Sequence, residues 1–240
     1  MESKLDFEQA WLGKFAAALD EIAGERVREE VMMGSEKLSS ASAKNDVICW
    51  SRQAMERLTS LVDGKQARDV MTSCACQYPK ADLRDVRLAY EETGDVDVAL
   101  AMLQEKFETF LRGTMHLEEG MIEQIISNAW GSAGVRDDNT IIATKIPKSG
   151  YLVEYMNETD PDKKRALYCH CPRIRDVLKT SETIPPIYCY CGAGFYKVMW
   201  EEILQESVEV ELLESVLKGD NVCRVAIHLL RIYPEPFFSR

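Results

Sequence analysis

Six of the eight cysteines fall in pairs with one residue between them: Cys74/Cys76, Cys169/Cys171 and Cys189/Cys191. On an extended chain, residues two apart point the same way. Each pair can therefore present two sulfurs to one metal ion, or to each other. The stretch between Cys171 and Cys189 has the length of the loops that separate the halves of many zinc sites. The usual metal knuckle is Cys-x-x-Cys, whose tight turn aims two sulfurs at the ion, and it is missing here. Three chemistries stay open: thiolate ligation of a metal, nucleophilic attack by one cysteine, and dithiol/disulfide cycling.

The residues that follow the central pairs favour Cys171 and Cys191. Pro172 suits the first turn of a helix, and Arg173 to Lys179 reads as that helix, with Cys171 at its N-cap. Gly192-Ala193-Gly194 leads into Phe195 to Leu204, a second short helix, which places Cys191 near its start. A helix N-terminus and nearby cations lower a thiol pKa. Arg173, Arg175 and Lys197 are candidate cations, and Gly192 and Gly194 permit close approach of a ligand. The glycines make no phosphate loop, because no Gly-Lys-Ser/Thr follows.

A metal site is therefore expected to use Cys169, Cys171, Cys189 and Cys191, with Cys74 and Cys76 as further candidates, and to hold zinc or an iron–sulfur cluster. An enzyme is expected to use Cys191 or Cys171 as nucleophile and His170 as proton carrier. Arg173, Gly192, Gly194 and Lys197 are the expected contacts to a bound cofactor or ligand. Cys49, inside a helical apolar stripe, and Cys223, on the apolar side of a strand, read as core residues. Lys145 and Lys148 read as turn charges that could also hold an anion. Of the carboxylates, Glu154, Glu158, Asp160, Glu201 and Glu202 lie nearest the pairs in sequence, and none is singled out.

These residues need elements to position them. Phe7, Trp11, Phe15 and Leu19 recur every fourth residue, and Val47, Trp50, Ala54, Leu58 and Leu61 every third or fourth. Both patterns predict amphipathic helices. Further helices are predicted over Leu83–Tyr90, Val96–Leu111 and Leu117–Trp130, the last stopping at Gly131 and Gly134. Then the period changes. Residues 140–146 and 151–156 flank Pro147-Lys148-Ser149-Gly150 and read as a hairpin. Val208, Val210 and Leu212 alternate with glutamates, and Cys223, Val225, Ile227 and Leu229 alternate with more polar positions. This pair reads as a second hairpin turned at Lys218 to Asn221. Residues 233–240, with Pro234 and Pro236, read as an extended tail. The expected class is α+β, a helical N-terminal half (1–136) packed with an antiparallel α/β domain (137–240) of about four strands, the two packing as one unit or separately.

Composition narrows the partners. The 240 residues are 46% hydrophobic and 29% charged, with net charge -11, enough apolar content for a core without staples. An acidic surface disfavours general nucleic-acid binding. The first residues, MESKLDFEQAWLGKF, lack a secretory pattern, and no apolar run reaches the roughly 20 residues of a membrane span. A cytoplasmic, membrane-free protein is expected, with a small-molecule ligand as partner and a homodimer left open. In that compartment cysteines serve metals, catalysis, redox sensing or burial rather than structural disulfides.

The stretch CGAGFYKVMWEEILQESVEVELLESVLKGDNVCRVAIHL resembles the end of the 4-vinyl-reductase domain, and the related proteins that hydrolyse L-2-amino-thiazoline-4-carboxylate. The shared pattern is a glycine-bearing helix (Gly192 to Leu204), a strand ending near an acidic residue (Val208 to Glu214), a turn at Gly219-Asp220 and a last strand with Cys223. The phrases ATKIPKSG, YCHCPRIRD and YCYCGAGFYK resemble a cysteine-rich bacterial and archaeal group of that superfamily. The likeness covers the last ~100 residues, the length of a small domain. It implies an antiparallel sheet with helices packed on it, binding small molecules as a sensor, a tetrapyrrole-linked accessory domain or a hydrolase. The chain departs from the pattern at Arg224-Val225, where a phenylalanine is expected. The two central cysteine pairs are additions to which no catalytic assignment carries over.

Overall fold

The computed structural model describes residues 6–76, 78–131 and 133–230. Each predicted stripe becomes a helix. The first, α1 (Phe7–Ala23), starts where the Asp6 carboxylate accepts from the Gln9 N–H and stops at Gly24, whose φ of 87° breaks the helix. After α2 (Glu25–Met32) come α3 (Lys44–Leu61) and α4 (Gly64–Ser73), the latter capped by Asp63. Next are α5 (Arg84–Thr93), ended by a left-handed Gly94, α6 (Val96–Gly113) and α7 (Glu119–Ser127). The sequence pattern showed neither α2 nor α4. Both are short: α2 is rich in charge and buries only Val31, and the apolar stripe of α4 is a single turn, Ala67, Val70 and Met71.

The C-terminal half holds β1 (Val135–Asp137), β2 (Thr140–Thr144), α8 (Leu152–Asn157), α9 (Pro161–Tyr168), α10 (Tyr190–Leu204), β3 (Val208–Glu214) and β4 (Arg224–Leu229). The strands form one antiparallel sheet in the order β1-β2-β4-β3. The fold is thus α+β, a largely helical chain with a four-stranded antiparallel sheet in its C-terminal half. The β3–β4 hairpin forms as expected, with Val210 opposite Ile227 and Leu212 opposite Val225.

The other expected hairpin does not form. β2 pairs instead with β1 through a turn in which Asp138 takes φ 54°. Residues 152–157 are helical, because the side chains that bury are Leu152 and Tyr155, three apart, while Val153 between them stays exposed. The expected helix after Pro172 shrinks to a 3-10 turn over Arg175–Lys179. The tail at 233–240 lies outside the described residues.

Both halves feed every core. α1, α3 and α4 bury Trp11, Phe15, Trp50 and Met71 against Ile174, Val177 and Tyr188. Leu83, just before α5, packs with Val86 of α5 and Leu103 of α6 against α10 and the sheet. Phe107, Leu111 and Ile125 pack with Leu152, Tyr155 and Tyr168. Among the described residues no helix is long and apolar enough to cross a membrane.

Candidate functional site

Four chain segments bring seven cysteines into one neighbourhood. Cys74 stands at the C-terminal cap of α4 and Cys76 follows it. Cys169 caps the end of α9, with Cys171 two residues on. Cys189 ends a 3-10 turn (Pro186–Cys189) that runs directly into α10, and Cys191 sits in the first turn of that helix. Cys223 immediately precedes β4. The Cys191 thiol donates to the Cys74 carbonyl at 3.5 Å, and Ser215 Oγ donates to Cys189 Sγ at 3.1 Å. The sulfurs act on one another electrostatically: Cys171 on Cys191 and Cys169, Cys223 on Cys189, Cys191 on Cys74, and Cys76 on Cys191. Cys171, Cys189, Cys191 and Cys223 keep partial exposure, while Cys74 and Cys169 are buried.

One cysteine differs from the sequence reading. Cys49 was expected in the core, but it faces solvent on α3, within 3.7 Å of Gln53 Nε2. Cys223, also expected in the core, is half-buried against the core around Tyr168, and lies beside Cys189 and Cys169 as well.

Five of the thiols are not activated. Burial pushes Cys191 up to about 11 and Cys169 up to about 12, with Cys171 adding to both. Burial also raises Cys74, Cys189 and Cys223. These five are neutral at pH 7, opposite to the expected lowering at a helix start. The 3-10 turn before α10 already takes up the Tyr190 N–H at the Ile187 and Tyr188 carbonyls, so the first N–H of α10 is not free. Desolvation then decides the ionisation. Cys171 likewise precedes a five-residue 3-10 turn, not an α-helix.

Arg173 is not a ligand contact. It is buried, its Nε and Nη2 grip both oxygens of the buried Glu8 at 2.6–3.0 Å, and it lies 3.8 Å over the Trp11 ring. Its Nη1 donates to Tyr188 Oη at 2.6 Å. That oxygen accepts from Arg173 and also lies 3.7 Å from Cys171 Sγ, a contact in which either group can donate. Gly194 is also structural: a methyl there would overlap the Thr72 carbonyl, and this contact lets α10 lie flush on α4. Lys197 is committed to the Val208 carbonyl and to Glu201. Gly192 follows Cys191 directly, and a Cβ there would sit 3.5 Å from Lys145 Nζ.

His170 turns away from solvent. Its Nε2 lies 2.6 Å from the Ile146 carbonyl, which can only accept, so Nε2 carries the proton and Nδ1 is the acceptor. Burial, then the charge of Lys145, lowers its pKa to about 4. Among the described residues the ring makes no hydrogen bond to a sulfur, so the expected cysteine–histidine proton pair is not assembled.

Lys145 is the residue whose role the sequence pattern concealed. It follows β2, and its N–H donates to the Cys223 carbonyl at 3.0 Å while its own carbonyl accepts from Tyr168 Oη. Its amine acts on Cys191, Cys223 and His170 and lies 5.9 Å from the Phe195 ring centre. The sequence reads it as a turn charge that could hold an anion, and nothing in the pattern places it beside the thiols. Glu201 and Glu202 pair with Lys197, Lys80 and Arg87, and Glu158 accepts the N–H groups of Thr159 and Asp160.

Among the described residues no group of three or more His, Cys, Asp or Glu is placed to hold a metal ion. A cleft of about 840 Å³ opens on the far side of Pro172, between α8, α9 and the 175–179 turn, and no cysteine lines it. Arg175 joins the two places: it lines the cleft, and its Nε donates to the Cys169 carbonyl at 2.7 Å.

Compared with known protein families, residues 108–233 match the model of a family of unknown function (DUF6144), slightly more than half the chain. The chain belongs to that family. The DUF6144 match takes in Lys145, His170, both central cysteine pairs and Cys223, while Cys74, Cys76 and Glu8 lie before it. No curated protein and no solved structure matches the chain.

Proposed function

We propose that the chain is a small-molecule-binding, sensor-like protein whose working site is the thiol cluster around Cys171, Cys189, Cys191 and Cys223. The observation that carries this reading is that seven of the eight cysteines, from four separate segments, stand close enough to act on one another. Chance burial of small hydrophobes would scatter them. Neutral thiols beside Lys145 and a neutral His170 offer soft and polar contacts together, without a metal's charge. The resemblance to the 4-vinyl-reductase domain and the thiazoline-carboxylate hydrolases supports a small-molecule ligand. A hydrolase or lyase with Cys191 as nucleophile has less support, since burial holds that thiol protonated.

One observation favours a second reading. Thiols that raise one another's pKa would be relieved by a thiophilic ion. Zinc or an iron–sulfur cluster on Cys169, Cys171, Cys189 and Cys191 would require those loops to draw closer than they now stand.

Anaerobic purification, metal analysis and thiol counting test both. The first reading expects substoichiometric metal and iodoacetamide-reactive cluster thiols in the folded protein. Near-stoichiometric metal with four protected thiols moves the conclusion to the second. A metal-free folded protein in which Cys49 alone reacts overturns both.

A further inference from the structure

We propose that Lys145 makes the thiol cluster selective for small organic anions, carboxylates in particular. The inference rests on the thiol cluster being the working site and names the class of molecule it admits.

Lys145 is half-buried, and among the described residues its amine has neither an ion-pair nor a hydrogen-bond partner. Most cations in the fold do otherwise. Lys197 pairs with Glu201, Lys106 with Asp85, Arg136 with Asp97 and Arg173 with Glu8. A chain with 40 acidic residues could readily supply a counter-charge here. What faces Lys145 instead is neutral: the raised thiols of Cys191 and Cys223, the uncharged His170 ring and the Phe195 ring. Gly192 keeps the approach clear, since any side chain there would start 3.5 Å from the amine. The arrangement is a positive charge on a soft wall, reinforced by Lys148 and Arg175, which act on His170, and opposed by Asp220, which acts on Cys223. A carboxylate supplies the missing partner, and the remainder of such a molecule would lie against sulfur and Phe195.

A matched pair of alkylating probes tests this. Iodoacetate and iodoacetamide deliver nearly the same carbon to a thiolate, which displaces iodide, and differ in the carboxylate. Rates are measured at each cysteine by peptide mass spectrometry at pH 9, with solvent-facing Cys49 as internal reference. The ratio of iodoacetate to iodoacetamide rates at Cys191 and Cys223 is expected to exceed that at Cys49 by about three- to tenfold. Lys145→Gln should bring the ratio down to the Cys49 value, and Lys145→Arg should retain it. An unchanged Cys49 rate and thermal transition show that the variants fold. Equal ratios at the cluster and at Cys49, or a preference that survives Lys145→Gln, overturn the proposal while leaving the thiol site standing. No reaction of the cluster with either probe refutes the thiol site itself.

Discussion

Gly194 of α10 lies against the Thr72 carbonyl of α4 with no room for a methyl group between them. This contact lets the Cys191 thiol reach the Cys74 carbonyl, joining a segment of the N-terminal half to the central cysteines. Gly194→Ala must push the helices apart, at a cost of about 1–3 kcal/mol or more. Denaturant unfolding should show the loss. Gly13→Ala, at a helical glycine with open space around it, serves as the control and should be neutral or stabilising.

The buried Glu8–Arg173 pair ties α1 to the loop that carries Cys171. Arg173→Met leaves the Glu8 carboxylate buried and unpaired, a loss of about 3–5 kcal/mol. Arg173→Lys keeps the charge but not the two-point grip or the stacking on Trp11, so it should fall between. Urea midpoints of the two variants and the parent give the order. Tyr188→Phe removes the hydroxyl that turns toward Cys171 and should cost less than Arg173→Met.

His170 sets the acid limb of stability. Its folded pKa of about 4 lies below the ordinary 6.5, owing first to burial, then to Lys145, with Lys148 and Arg175 adding. The unfolded chain therefore binds the proton more readily. Stability is full above pH 6.5 and is lost as pH falls toward 4, by up to about 3 kcal/mol. Unfolding free energies between pH 4 and 7 should carry that slope, and His170→Asn should flatten it. A ring titrating near 6.5 by NMR would contradict the environment described for it.

The thiols set the alkaline limb. Cys191 at about 11 and Cys169 at about 12 ionise in the unfolded chain near 9 and resist ionising in the fold. Their contribution is present below pH 9 and lost as pH rises toward 11 and 12, by about 1.4 kcal/mol per unit and thiol. Cys169→Ala should reduce the slope of stability against pH in that window. Cys49→Ser should not, because Cys49 lies outside the cluster.

The helices α1, α3 and α6 and the β3–β4 hairpin were legible because each buries one face and repeats apolar residues at its own period. The Tyr151–Met156 stretch was not. Its apolar residues suit a strand as well as one turn of helix, and burial of Leu152 and Tyr155 decides between them. In the site, doublet spacing pointed to the central cysteines. Spacing could not show that the turn at Pro186–Cys189 closes the start of α10, that Glu8 claims Arg173, or that Thr72 claims Gly194. The last two depend on contacts between residues more than 100 positions apart. Lys145 and Cys223 came to the site the same way, through the pairing of β2 with β4.

The central claim is that sulfurs far apart in sequence stand together. Phenylarsine oxide tests it directly, because its arsenic is held tightly only by two neighbouring thiols. The folded, reduced protein is treated with one equivalent, then unfolded and alkylated, and the protected cysteines are mapped. The structure predicts one arsenic per chain, protecting two thiols of the group Cys171, Cys189, Cys191 and Cys223, with Cys49 fully alkylated. Alkylation of all eight cysteines after treatment, or protection of Cys49, would contradict it.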